Sequence, residues 1–330
     1  MKIKIIGAGW YGCHLAKSLL ESGYDVEVHE IKDSIFAGAS GAIPARLHRG
    51  FHYPRSQSTR DACNSHYAEF MEKYGQFTSS IPTNIYAIAA HESLVDFETY
   101  RHILKDSVEY ITIEHPEEFG LQNVEGALLT GERHIVVSKT REYFKKILDG
   151  HIFYSQPYDI SDDNNHDWII DATFCANENV GVERYEPCLV PILEGPNVTK
   201  AITIMDGPFP SLYPWNEEKN LLSLSSALWT PFSKTCKTYN EAKQILESLS
   251  KKELVERGDS MIQSMAHFYP AVNECTVKEY KTSIRAMPKS GSDARLVEVL
   301  ETQPNVIRIR AGKIDAVIDA ERAVKNIIQS

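Results

Sequence analysis

Six residues near the amino terminus, Gly7-Ala8-Gly9-Trp10-Tyr11-Gly12, constrain the fold of this chain more than any other segment. They follow a short apolar run, 2–6, that reads as a buried strand. They precede a helical pattern over 13–22, closed by Gly23. A second strand is expected over 24–30, ending in the acid Glu30. Strand, glycine turn, helix, strand and acid in about thirty residues form the fingerprint of a dinucleotide-binding βαβ unit.

Each position has a physical use. Gly7 permits the tight turn out of the strand, and Gly9 lets the backbone approach a pyrophosphate with no side chain between them. Gly12 allows the helix to pack closely on the sheet, while the amides that open it, Trp10 and Tyr11 among them, face the phosphate charge. Glu30 is placed to accept hydrogen bonds from an adenosine ribose. An acid there disfavours a 2′-phosphate, so NADP is the dinucleotide that fits least.

Composition fits a cytoplasmic enzyme. A chain of 330 residues, 42% hydrophobic and 24% charged, buries a large core and is long enough for two domains. The net charge of -10 argues against a nucleic-acid partner, though not against one local basic pocket. No run is long and apolar enough to span a membrane. The six cysteines are scattered, with no CxxC and no tight Cys/His pairing; reduced, structural thiols are expected and no metal site.

After Glu30 the chain departs from a plain nicotinamide-binding unit. Gly38-Ala39-Ser40-Gly41 opens a small-residue segment suited to backbone lying flat against a ligand. The segment 46–55 then packs three arginines and two histidines into ten residues, interleaved with Phe51 and Tyr53. Two readings stand side by side: a solvated basic loop, or a cluster in which Arg46, Leu47, His48, His52 and Tyr53 face an anionic ligand or a cofactor ring.

Gly7 to Gly12, Glu30 and Gly38 to Gly41 together resemble the amino-terminal part of the FAD-dependent D-amino-acid oxidase/glycine oxidase family. In that family a GASG-like stretch containing Ser40 and Gly41 runs beneath the flavin. The segment Asp171-Ala172-Thr173 is similar to the family's strand ending in ATG beside the FAD, with Phe174 in place of the glycine. The stretch 305–314 resembles its last strand and glycine turn, which brings Gly312, Lys313 and Ile314 to the cofactor. Gly312 would open the final helix with Lys313 in its first turn, beside the charge of a reduced flavin. Arg285 resembles the arginine that receives a substrate carboxylate, a task suited to its fork; a salt-bridged strand-end arginine is the plainer alternative. Asp293 and Arg295 follow in a turn that would cover the flavin face. The likeness spans most of the chain in outline and is most specific in the first forty and final thirty residues.

The fold class expected is α/β, a Rossmann-like FAD-binding domain with an inserted α+β substrate domain containing an antiparallel sheet. The nucleotide domain would comprise 1–80, 136–180 and 286–330, and the substrate domain 81–135 and 181–285. Strands are expected at 84–89, 151–154, 201–205, 212–213 and 221–224, and helices at 94–105, 140–148, 240–250 and 252–268, with breaks at 206–207 and 217–220. The function implied is an FAD-dependent oxidoreductase that oxidises a C–N or C–O bond of a small polar, anionic molecule. Arg285, His52, Tyr53 and Tyr213 are its candidate pocket residues. Three rivals remain: a flavin-dependent sugar mutase of the UDP-galactopyranose mutase kind, an NAD-dependent dehydrogenase, and a non-catalytic nucleotide sensor. The sequence leaves substrate, electron acceptor, flavin attachment through His48 or His52, and oligomeric state open.

Overall fold

The apolar positions 3, 5, 26 and 28 have no exposed surface because their two strands lie inside a six-stranded sheet. A computed structural model describes residues 1–105, 108–157, 165–196, 200–216, 219–289 and 296–330. The strands run in the order Glu298–Gln303, Val306–Arg310, Trp168–Asp171, Lys2–Ile6, Asp25–Glu30 and Ile152–Tyr154. All neighbours are parallel except the first pair. The helix Trp10–Glu21 and the last helix, Val317–Gln329, pack beside each other on this sheet; Leu15 and Leu19 share one core with Val317, Val324 and Ile328. The first helix therefore begins three residues before the expected 13–22 span. The last begins at Val317, so Gly312 and Lys313 precede it in an irregular turn rather than opening it.

The second layer is an eight-stranded sheet in the order Thr276–Pro288, Val182–Glu194, Leu221–Ser226, Pro210–Asn216, Lys200–Met205, Thr83–Ala89, Val124–Thr130 and Tyr110–Ile113. It contains the expected strands but is mixed, since Lys200–Met205 pairs with Thr83–Ala89 in parallel. Strand alternation gives this sheet two unlike faces. Ile85, Ile202, Ile204, Leu212, Leu222 and Leu224 form an apolar face, covered by Met261 and Met265 of the helix Lys251–Ala266. The opposite face carries Tyr86, Thr203, Ser211, Tyr213 and Ser223, all buried. Thr203 pairs with Tyr86 and Ser211, and Tyr213 with Ser223, so these side chains lie side by side.

A three-stranded sheet joins the layers: Arg46–Leu47, Arg133–Ile135 and Thr78–Ser80. Here the solvated-loop reading of 46–55 fails. Arg46, Leu47, His48, Phe51 and Tyr53 are buried at the seam between the layers. The helix Val137–Ile147 and strand Ile152–Tyr154 lead back into the parallel sheet, as the sequence led one to expect. Of the turn expected at 217–220, residues 217–218 lie outside the described residues, as do Asp293 and Arg295.

Candidate functional site

Gly7 leaves the first strand with φ +96°, the left-handed region that glycine tolerates, and a Cβ there would meet the Ala172 carbonyl oxygen at 3.0 Å. A Cβ on Gly12 would lie 1.9 Å from the Gly7 oxygen, so this turn closes only around glycine. The helix start at Trp10 has no side-chain cap of its own; the Trp10 amide donates to Ser40 Oγ at 3.0 Å. The small-residue segment thus touches the glycine turn directly. A Cβ on Gly9 would approach Ser40 Oγ to 3.1 Å, and one on Gly41 would strike the Phe36 oxygen. The Trp10 ring itself turns into the core, against Phe36, Phe70, Tyr74 and Phe144. At the turn Trp10 therefore presents its main chain and not its ring.

Glu30 is buried and accepts the amides of Ala8 at 2.7 Å and Lys32 at 2.9 Å. Its oxygens thereby brace the turn, and a carboxylate has further lone pairs for a ribose hydroxyl. Thr173, at the end of its strand, is bound to Asp171 through both amide and hydroxyl. Phe174, standing where the family has glycine, holds φ +61°, so the glycine-like backbone turn persists despite the side chain.

Tyr11 connects this end to the carboxy-terminal turn: its hydroxyl donates to the Lys313 carbonyl at 2.6 Å and accepts the Gly312 amide at 3.0 Å. Ile314 packs half-buried against the same core. The Lys313 amine lies 3.9 Å from the centre of the Tyr53 ring, and among the described residues it makes no ion pair. Burial, with Arg46 adding to it against Asp315, pulls the ammonium pKa from 10.5 down to about 7.

Arg46 crosses to the polar face of the mixed sheet. Its guanidinium donates to Thr203 Oγ1 at 3.0 Å and Ser211 Oγ at 2.6 Å, and covers the Tyr213 ring at 4.1 Å. His48, His52, Tyr53 and Tyr86 form an aromatic cluster beside it, with ring centres 5.2 to 6.3 Å apart. Burial, then Lys313 and Arg46, hold the His48 imidazole well below its ordinary range, in the neutral form. Arg285 stands further along the sheet and donates to Glu186 Oε2 at 2.7 Å; Arg184 takes the other oxygen at 2.9 Å. The alternation places Arg285, Glu186 and Cys188 on one face of the sheet.

Two groups escaped the sequence reading. Glu132, 1% exposed, sits beneath the 46–55 segment. Asp315, equally buried, lies with Lys313 and His66 around a small cavity. Neither belongs to a recognisable local pattern, since their partners come from distant parts of the chain.

The glycine cradle, the helix start at Trp10 and the Lys313 amine, which makes no ion pair among the described residues, fit a dinucleotide whose far end is anionic and planar. A Fusarium mangiferae protein, FAD-dependent monooxygenase FPY4, is 30% identical over 336 residues, covering 98% of this chain and 90% of that protein. The chain belongs to the FAD-dependent oxidoreductases and has the D-amino-acid oxidase/glycine oxidase fold. FAD is therefore its cofactor. The Aspergillus flavus FAD-dependent monooxygenase kojA is 25% identical over 370 residues, 99% of this chain and 86% of that one. No protein-family model matches the chain. The fold agrees: glycine oxidase from Geobacillus kaustophilus superposes with TM-score 0.74 at 13% identity, covering 99% of this chain and 94% of that one. The FAD-bound L-alpha-glycerophosphate oxidase from Mycoplasma pneumoniae gives 0.70 at 13%, covering 100% and 94%. The residues that could hold the adenine half are Gly7, Gly9, Gly12 and Glu30, and those that could meet the flavin half are Ser40, Gly41, Arg46, His48, Thr173, Gly312 and Lys313.

Proposed function

We propose that this FAD-dependent oxidoreductase oxidises a C–N or C–O bond in a small polar, anionic substrate held at the seam between the two sheets. The observation that carries this reading is a pair of cationic side chains, Arg46 and Lys313, neither of them hydrogen-bonded to a carboxylate among the described residues, with Glu132 and Asp315 acting on them only through space. Lys313 is unpaired among the described residues, and Arg46 spends its hydrogen bonds on hydroxyls. In a chain of net charge -10, two such cations at one seam fit an anionic ligand. FAD supplies the two-electron acceptor when bound. Arg46 fixes the segment that would lie over the ring, and Lys313 offers a positive group to it. Neutral His48 provides an imidazole that accepts or donates one hydrogen bond. Arg285, already tied to Glu186, would meet a substrate carboxylate with its remaining N–H groups.

The same reading divides the chain into a nucleotide domain of 1–80, 136–180 and 286–330 and a substrate domain of 81–135 and 181–285. It also places the protein in the cytoplasm, without nucleic-acid or membrane partners. The six cysteines are all free, and no helix among the described residues is long and apolar enough to cross a membrane. The mutase, dehydrogenase and sensor readings gain nothing from the relatives, which are named as FAD-dependent monooxygenases.

Those names favour a second reading, in which one atom of O2 enters the product and an external reductant supplies two further electrons. The two separate in one experiment. The FAD-loaded protein is given amines and hydroxy acids under 18O2, with peroxide, NAD(P)H and product mass recorded. An oxidase yields one peroxide per O2 without reductant and leaves the product unlabelled. Label in the product, with reductant consumed, would replace the first reading by the second. A purified protein that is colourless and takes up no FAD would defeat both.

A further inference from the structure

Glu132 has no part in the function proposed above, yet it is an almost fully enclosed carboxyl at the seam. A carboxyl so buried is costly unless its oxygens are satisfied. Both are: Oε1 accepts the Arg49 amide at 2.6 Å and Oε2 accepts the Tyr86 hydroxyl at 2.6 Å. Two donors, one on each oxygen, fit the ionised form. Burial pushes the carboxyl above its ordinary range, opposed by the Tyr86 hydroxyl, the Arg49 amide and the Arg46 and Arg49 guanidiniums.

Neither guanidinium forms an ion pair with it among the described residues. Arg46 is bound to Thr203 and Ser211, and Arg49 lies over the Tyr67 ring at 4.9 Å. The polar contact that remains is the imidazole of His48, whose Nδ1 lies 3.7 Å from Oε2. That nitrogen is itself buried and lacks a hydrogen-bond partner among the described residues. At this separation the contact is electrostatic, about an ångström longer than a charge-assisted hydrogen bond. Around His48 stand Glu132 from beside the joining strand Arg133–Ile135, Lys313 from the carboxy-terminal turn, and Arg46, His52 and Tyr53 from its own segment. Glu132 is the carboxylate among them.

We propose that Glu132 is a positioning residue: its carboxylate pins the 46–55 segment to the mixed sheet and holds His48 with its proton on Nδ1. Nε2 is then left as an acceptor for an N–H or O–H of the substrate. Only this last consequence rests on the seam being the substrate site; the tautomer does not.

The test is 15N NMR of the full-length, histidine-labelled protein with FAD added, the His48 resonances being identified by their loss in His48→Gln. His48 is expected to stay neutral with the proton on Nδ1 between about pH 6 and 8. Glu132→Gln preserves the volume and one acceptor oxygen, so the fold should survive. Loss of the charge-assisted contact should shift the tautomer ratio about tenfold toward the proton on Nε2. An imidazolium or an Nε2–H tautomer in the wild type overturns the proposal, as does an unchanged ratio in Glu132→Gln. Should that variant not fold, the wild-type tautomer alone decides. Failure of the flavin reading shows separately, as a protein that takes up no FAD whatever the state of His48.

Discussion

At Gly12 the distance is decisive: a methyl group would stand 1.9 Å from a main-chain oxygen that cannot swing away. Gly12→Ala must therefore push the first helix off the sheet or reopen the Gly7 turn. Overpacking of this kind costs about 1–3 kcal/mol, and here it acts directly on the cofactor turn. The variant should melt several degrees lower and purify with little flavin absorbance; a wild-type spectrum would show that the turn relaxes cheaply. Lys313 gives a prediction of a different form. Its ammonium pKa is lowered in the fold, from 10.5 to about 7, so between those values the unfolded chain binds more protons. Stability of the protein without added FAD should then rise with pH across that window. The difference between wild type and Lys313→Met isolates the term. The methionine variant's advantage should be largest below about pH 7 and shrink toward 10.5; a flat difference would mean that the amine is solvated.

Between elements, the helix Gln57–Tyr74 shows why part of the fold was hidden in the sequence. Its buried positions, Thr59, Cys63, His66, Phe70 and Tyr74, recur at helical spacing, but three are not conventional apolar residues, and hydrophobic periodicity passes over them. The strand Val182–Glu194 contains Pro187 and Pro191, which argue against a long strand, yet it pairs along its length with Thr276–Pro288. The glycine turn and acid-ended strand were legible because the pattern that makes them, strand, turn, helix, strand and the Glu30–Ala8 bond, lies within thirty residues. Arg46 reaches Thr203 and Ser211 from 157 and 165 residues away, and Glu132 reaches Arg49 across 83, so no local pattern announces either. His66 ties its helix to the last one: Nε2 lies 2.8 Å from Asp319, and Nδ1 3.6 Å from Asp315. The Asp315 carboxylate, with Asp319 behind it, holds the imidazole above its ordinary range against the pull of burial. Because the folded pKa is raised, the extra stability is complete below the unfolded value of about 6.5 and fades as pH rises through the folded one. His66→Asn should cost most stability at acidic pH and approach wild type on the alkaline side. A loss independent of pH would reduce His66 to packing.

Across the whole molecule, the two sheets would divide the labour of holding a long cofactor under the function proposed above. The parallel sheet presents the glycine turn and Glu30 at one end; the mixed sheet presents its polar face, with Arg46, Tyr86 and Tyr213, at the other. The 46–55 segment links them: Arg46 bonds to Thr203 and Ser211, and Arg55 to Asp206, while the Tyr11 bridge to the Gly312–Lys313 turn ties together the nucleotide side. A ligand reaching from turn to seam should therefore stabilise both layers at once. Ligand at about a hundred times its Kd adds about 2.7 kcal/mol, which for a chain of this size is on the order of 5 °C in Tm. ADP should engage the turn alone and FMN the seam alone, each with a smaller shift. The expected order in a melting series is FAD first, then ADP and FMN, with NADH below FAD because its nicotinamide half offers neither the flavin's width nor its negative charge on reduction. If ADP alone matched FAD, the seam would contribute nothing to cofactor binding, and the residues assigned there would have to serve the substrate instead.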